Sequence, residues 1–230
     1  VNGKVLLMTS SIPGEGKSFV SINLAASFAF SGKRTALVEF DLYKQKVCEG
    51  LGVNYKAGIT DFFQGQATLE KICHPYSKIP NLRVVPAGTP LTNPAELILN
   101  GKLPGLIDYL KTEFDFIIID SPAIGMVSDS KILAPYANLS LYVIRQNYAH
   151  HGFLKFINEL KATGGMPNIH LVFNGVVIKK APGLDYWNSY GYNGYRYGNK
   201  NPYTKADDDA NKKEKSKKSY LNRIMNHKSN

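Results

Sequence analysis

Nine residues near the N-terminus, SSIPGEGKS at 10–18, combine two glycines, a lysine and a hydroxyl in an order that suits a polyphosphate. Gly14 and Gly16 let backbone amides approach a phosphate chain, Lys17 can reach its β and γ phosphates, and Ser18 can ligate magnesium. A helix predicted to follow directs its first N–H groups and the positive end of its dipole at the same anion. The candidate nucleotide contacts are Pro13, Gly14, Glu15, Gly16, Lys17, Ser18 and Phe19. The first glycine of the GxxxxGK[ST] pattern is Ser11 here, which departs from the pattern but leaves the strand, loop and helix context intact.

Two acidic elements accompany this loop. In ALVEFDLYK, residues 36–44, an apolar strand ends in Glu39 and Asp41, and strand alternation predicts both side chains on one side of the chain. At the carboxyl end of a parallel strand such a pair can hold a magnesium-bound water or accept a hydroxyl proton; a solvated strand end is the plainer alternative. In FDFIIIDSPA an apolar run delivers Asp120 to the same edge. An apolar run ending in Asp is common by itself. It becomes specific only with the other two elements in their expected order.

The elements that must position these residues show the rhythm of βαβ units. Strands are predicted at Val5 to Thr9, Thr35 to Val38, Leu82 to Pro86, Phe116 to Asp120, Leu139 to Arg145 and His170 to Phe173. Helices are predicted at Phe19 to Phe30, Pro94 to Leu99, Leu103 to Lys111 and Gly152 to Thr163. Runs such as FIIID lack polar alternation, as expected of strands covered by helices on both faces. The expected fold is therefore α/β, a doubly wound, mainly parallel sheet with helices on both faces.

With 230 residues, 43% of them apolar, the chain has material for one core, read as a domain over 1–180 and a flexible tail over 181–230. From Lys179 onward, 12 Lys and Arg stand against 5 Asp and Glu, so this stretch supplies +7 of the net charge of +10. Such a run favours phosphate-rich partners or is simply a solvated end. Cys48 and Cys73 lack CxxC spacing, which argues against a zinc ribbon or disulfide scaffold and for a reducing compartment. No apolar run approaches the roughly 18 to 20 residues that cross a bilayer, so the chain is expected to be soluble. It begins at Val1, just before a buried strand, which suggests a piece of something longer. His150 and His151 read as a surface pair without a metal.

Taken together, SSIPGEGKS, VEFD and IIIDSPA resemble the Walker A, Walker A′ and Walker B elements of the bacterial tyrosine kinases, cytoplasmic domains of the capsule and exopolysaccharide systems with a P-loop fold. GTPLTNPAELILN, residues 88–100, and a Tyr-rich C-terminus extend the resemblance along nearly the whole chain. It implies ATP and Mg2+ as cofactors, with Lys17 and Ser18 at phosphate and metal, Asp41 and Asp120 completing the metal shell, and Asn174 against adenine. Lys17, Glu39, Asp41 and Asp120 are the catalytic candidates. The family usually has Asp at both acidic positions of Walker A′, where this chain has Glu39, and an added methylene displaces the carboxylate by about 1 Å, enough to matter for a base.

Of 14 tyrosines, seven lie in the last 45 residues, and a kinase reading makes Tyr186, Tyr190, Tyr192, Tyr195, Tyr197 and Tyr203 the phosphate acceptors. The resemblance further implies a ring-like homo-oligomer that phosphorylates in trans, a transmembrane polysaccharide co-polymerase segment or activator, an opposing tyrosine phosphatase, no nucleic acid, and a place at the cytoplasmic face of the bacterial inner membrane. Two other readings are weighed. One is a partition or septum-positioning ATPase of the MinD/ParA type, whose signature lysine position is Ile12 here. The other is a nucleotide-dependent assembly module in which Glu39 has removed phosphoryl transfer.

Overall fold

Every residue of β1 (Lys4–Ser10) after the first is buried, and its side chains divide between two cores. Val5 and Leu7 join one, Leu6 and Met8 the other. A strand can be apolar on both faces only when both are roofed, so this division already requires a three-layer arrangement. The computed structural model describes residues 2–91, 94–98, 101–125, 129–148, 152–166 and 168–176. The chain divides into two units, Val1–Val177 and Ile178–Asn230; the second lies outside the described residues.

The sheet runs β3 (His74–Pro75), β4 (Leu82–Val85), β2 (Thr35–Glu39), β5 (Phe116–Asp120), β1, β6 (Leu139–Arg145), β7 (Ile169–Asn174). All neighbours pair parallel except the short β3 against β4. Register explains the layering. Val5 and Leu7 pair with Ile117 and Ile119 on one face, while Leu6 pairs with Ile118 on the other. The first face is roofed by α3 (Ile59–Phe63), α5 (Pro94–Ile98), α6 (Leu103–Glu113), α7 (Asp129–Leu133) and α8 (Gly152–Ala162), through residues such as Phe63, Ile98, Leu106, Leu110, Leu133 and Leu160. The second is roofed by α1 (Lys17–Phe30) and α2 (Val47–Leu51). A short helix, α4 (Leu69–Ile72), leads into β3, and a 3₁₀ turn at Ala134–Tyr136 leads towards β6.

Helix α1 packs through a strip of Lys17, Ser21, Ala25 and Ala29. The four-residue spacing keeps this strip on one face, and its last three side chains are small enough to bring the helix backbone close to the sheet. That approach lets Ser21 touch the end of β5. The strand order does the remaining positioning, because β5 lies between β1 and β2, so the loop after β1, Asp120 and the Glu39 to Asp41 segment meet at one carboxyl edge. A crevice outside the carboxyl ends of such strands is the ordinary ligand position in doubly wound sheets.

The six predicted strands and four predicted helices are all present, with ends shifted by one or two residues; Leu99, the last residue of the predicted Pro94 to Leu99 helix, lies outside the described residues. Helices α2, α3, α4 and α7, of four or five residues each, and the two-residue β3 had no periodicity long enough to read. His150 and His151, and positions 92, 93, 99 and 100 of the 88–100 segment, lie outside the described residues.

Leu7 is fully buried in the middle of β1, paired with Ile119 of β5 and Ser140 of β6. Leu7→Ala should lower stability by about 2 to 5 kcal/mol, seen as a lower urea midpoint with an unchanged m-value.

Candidate functional site

The loop after β1 turns through two glycines with positive φ, Gly14 at 89° and Gly16 at 91°. Both sit where a Cβ would collide: 2.6 Å from the Tyr148 hydroxyl at Gly14 and 2.1 Å from Asn174 Nδ2 at Gly16. Ser11 has no such constraint, since the non-glycine residues with positive φ among the described residues are Asn81, Asn147 and Asn168. Its buried hydroxyl instead lies 2.9 Å from the Tyr142 hydroxyl. The departure from glycine at this position thus ties the loop to β6.

Further bonds hold the loop in shape. Glu15 Oε2 accepts from Ile12 N at 3.0 Å, Arg145 Nη1 donates to Gly14 O at 3.1 Å, and Asn174 Nδ2 donates to Glu15 O at 2.9 Å. Asn174 Oδ1 accepts from Gly175 N at 2.8 Å. Both ends of this amide are therefore engaged, one of them on the loop. Pro13 is half-buried, while Phe19 is exposed just beyond Ser18.

Lys17 is buried and its Nζ lies 3.1 Å from Ser10 Oγ. Burial lowers the pKa of this ammonium, against the opposing charges of Asp120, Asp41 and Glu15. Asp120 is 1% exposed; its Oδ2 accepts from Ser18 Oγ at 2.6 Å and its Oδ1 from Ser21 Oγ at 2.9 Å. Burial pushes the Asp120 carboxyl up to about 6, against the pull of those two hydroxyls and of Lys17. Lys17, Ser18 and Asp120 thus converge as expected, and Asp41 joins them electrostatically. Burial raises the pKa of Asp41, whose Oδ1 accepts from Lys44 N at 3.0 Å.

Glu39 goes elsewhere. Strand β2 ends at Glu39, so the alternation that was expected to align it with Asp41 does not carry on to that residue. Its Oε1 accepts from Val47 N at 2.6 Å, at the start of α2, and its Oε2 lies 3.5 Å from Ala87 N. Burial raises its pKa, while Val47, Cys48 and Ala87 hold it down by hydrogen bonds. The Cys48 thiol is pushed up to about 12 by burial and then by Glu39. Sequence reasoning missed Asp129, a buried carboxylate at the start of α7. Its one signal is an isolated acid nine residues after Asp120, ahead of an apolar run. The six tail tyrosines, Tyr186 to Tyr203, lie outside the described residues.

The hydroxyl of Ser18 and the carboxylates of Asp120 and Asp41 are hard oxygen donors that fit Mg2+. Among the described residues no group of three His, Cys, Asp or Glu forms a metal cage, and a few protein oxygens are what an ion arriving on a polyphosphate requires. A groove of about 550 Å³, lined by Arg34, Cys73, Tyr76, Arg83, Tyr109 and Glu113 among others, opens where the strands begin and shares no residue with the loop.

Comparison with known proteins bears on family and fold. The family described as an AAA domain matches residues 3–172. A putative tyrosine-protein kinase EpsB of Ralstonia solanacearum is 33% identical over 196 residues, covering 84% of this chain and 25% of that protein. The chain thus spans about a quarter of that relative. A tyrosine-protein kinase CpsD of Streptococcus pneumoniae serotype 4 is 37% identical over 181 residues, covering 77% of this chain and 76% of the relative. The kinase domain of the Escherichia coli tyrosine kinase ETK superposes with a TM-score of 0.73 at 24% identity, covering 79% of this chain and 71% of that one, and so speaks for the fold. The cell division ATPase MinD of Pyrococcus furiosus superposes with a TM-score of 0.63 at 25% identity, covering 81% and 79%. The fold is that of P-loop nucleotide-binding proteins.

Two outcomes follow from the charges. The folded pKa of Asp120 lies above its unfolded value, so the unliganded fold takes up a proton between the two, and its stability falls as pH rises through that window to about 6. Asp120→Asn should raise the unliganded protein's stability at pH about 7.5 by on the order of 1 to 2 kcal/mol and flatten its pH dependence, measured by thermal unfolding across pH. Glu39→Ala should leave the Val47 N–H unpaired and lower stability by about 1 to 3 kcal/mol. Nucleotide titration should show its affinity changing far less than in Lys17→Met.

Proposed function

The chain belongs to the bacterial tyrosine kinase family, and on that premise we propose that it binds Mg·ATP at residues 10–18 and transfers the γ-phosphoryl group to tyrosine hydroxyls. The acceptors in this reading are Tyr186, Tyr190, Tyr192, Tyr195, Tyr197 and Tyr203 of its own tail, reached between copies. The observation that carries it is the convergence of Lys17, Ser18 and Asp120 at the end of β1 and β5, with the Ser18 hydroxyl 2.6 Å from Asp120.

The loop would bind the phosphates through backbone N–H groups, with the Lys17 ammonium on the β and γ oxygens. Ser18, Asp120 and Asp41 would hold Mg2+, which supplies charge neutralisation on the phosphates. Asn174 would serve the nucleotide by fastening the loop at Glu15 O. Glu39 would act by position, holding α2 and the end of β4 behind Asp41. Phosphoryl transfer asks the protein mainly for placement and electrostatic stabilisation, so rigid fastening of this loop is where its catalytic effect would arise.

The kinase reading extends to a domain over 1–180 with a tail over 181–230, a ring-like oligomer of the chain, a transmembrane polysaccharide co-polymerase segment or activator, and an opposing phosphatase. It also extends to control of capsule or exopolysaccharide export from the cytoplasmic face of the membrane. Each tail phosphate would add about −1.5 to −2 charges, enough for several to offset the +7 of the tail region and so loosen contacts between copies. Support for these comes from the resemblance of residues 10–18, 36–44 and 88–100 to the kinases of capsule and exopolysaccharide systems and from the tyrosine cluster.

Incubation of the full chain with Mg·ATP, followed by intact mass and phosphotyrosine mapping, tests the reading. Phosphate should appear within Tyr186 to Tyr203, and Lys17→Met should slow its appearance by about 10²-fold or more. ATP hydrolysis stimulated by lipid or DNA without phosphotyrosine would instead favour the MinD-like switch. Nucleotide binding without transfer or stimulated hydrolysis would favour the assembly module.

A further inference from the structure

Asp129 opens α7 and is 1% exposed, yet among the described residues its Oδ2 has no hydrogen-bond partner. Its neighbour Ser130 is fastened at the carboxyl ends of two strands. Ser130 Oγ donates to Pro122 O at 2.8 Å, lies 2.9 Å from Ser121 Oγ, and accepts from Thr9 Oγ1 at 3.3 Å. Ser121 Oγ in turn donates to Met8 O at 2.7 Å. This knot of hydroxyls sets the first turn of α7 beside Asp120 and the start of the phosphate loop. From the opposite side of the edge, the segment after β2 brings Asp41 and the exposed Tyr43 within electrostatic range of Asp129.

A buried carboxylate oxygen left unpaired is unfavourable, so its retention calls for a reason such as a catalytic role or a bound group that completes it. The other acids at this edge are engaged. Asp120 spends both oxygens on Ser18 and Ser21, Glu39 faces Val47 and Ala87, and Asp41 accepts from Lys44 N. Glu15 also has an unpaired buried oxygen, but it belongs to the phosphate loop and closes that turn through its other oxygen.

Resting on the kinase reading, the geometry points to Asp129 as a catalytic residue on the acceptor side, where its free Oδ2 receives the hydroxyl of the incoming tyrosine. The missing partner of a carboxylate oxygen is a proton donor, and a phenol about to be phosphorylated has a proton to lose. As the bond between the tyrosine oxygen and the γ-phosphorus forms, the bond from that phosphorus to the β,γ-bridging oxygen breaks and its electron pair leaves on ADP. The phenolic proton passes to Asp129 and then to solvent. Asp129 thus takes the proton-accepting place that Glu39, turned towards α2, leaves open.

The test uses full chains completed by ligation of a synthetic tail whose tyrosines from Tyr186 to Tyr203 are either tyrosine or tetrafluorotyrosine, whose phenol is already ionised near neutral pH. Each tail is joined to the parent sequence and to Asp129→Asn, with Asp129→Ala as a second variant should Asp129→Asn fail to reach the parent's melting temperature. With ordinary tyrosine, the variant should phosphorylate its tail about 10²-fold or more slowly, with Mg·ATP affinity within about threefold of the parent, a difference well under 1.4 kcal/mol. With the ionised phenol, the rate should return to within about tenfold of the parent, because no proton remains to be accepted. An equal loss with both tails, an unchanged rate, or a tenfold loss of Mg·ATP affinity overturns the assignment, the last pointing to the metal. Absence of tail phosphorylation in the parent with ordinary tyrosine overturns the kinase reading itself.

Discussion

Opposite charges buried at the ends of two neighbouring strands govern this structure. Lys17 and Asp120 are both withdrawn from water, and each is hydrogen-bonded to neutral hydroxyls: Ser10 for the ammonium, Ser18 and Ser21 for the carboxylate. Hydroxyls do not neutralise, so burial moves both titrations towards the uncharged forms. A polyphosphate with its cation supplies both missing partners at once, an anion for the lysine and a metal for the aspartate. On the proposed function the arrangement would be completed by that ligand pair, and the two buried charges by themselves carry an electrostatic cost.

The fold looks arranged to keep those two charges in place. Small residues along α1 let Ser21 reach β5, and the insertion of β5 between β1 and β2 brings the acidic segment after β2 beside Asp120. Acidic groups around the edge are then sorted by what binds their oxygens. Glu39 is consumed by backbone N–H groups, Asp120 by hydroxyls, and Asp129 keeps one oxygen unspent. Carboxylates at three positions thus take different roles, set by which neighbours reach each one.

The parts legible in the sequence were those written as contiguous patterns. The loop at 10–18, the apolar run ending in Asp120 and the β-branched runs of the central strands depend on near neighbours, and all were found where expected. The direction of Glu39 depends on where β2 stops and on α2, a five-residue helix with no detectable period. Asp129 depends on contacts among Thr9, Ser121 and Ser130, which span more than 100 residues of chain. The role of Ser11, a departure from the loop pattern, depends on the hydroxyl of Tyr142. In each of these cases the deciding atom lies far along the sequence, beyond what local spacing can express.

The bond from Asn174 to the carbonyl of Glu15 joins residues 159 positions apart, the last residue of β7 to the first loop of the chain. During synthesis, residues near the N-terminus emerge first and begin to fold while the remainder is still being made. Strand β1 and its loop leave the ribosome long before the residue that secures that loop. A partly made chain therefore carries the loop at 10–18 without its clamp, which arrives only with the translation of β7. Contacts of such span also slow folding, since the chain must close a long loop before the contact can form.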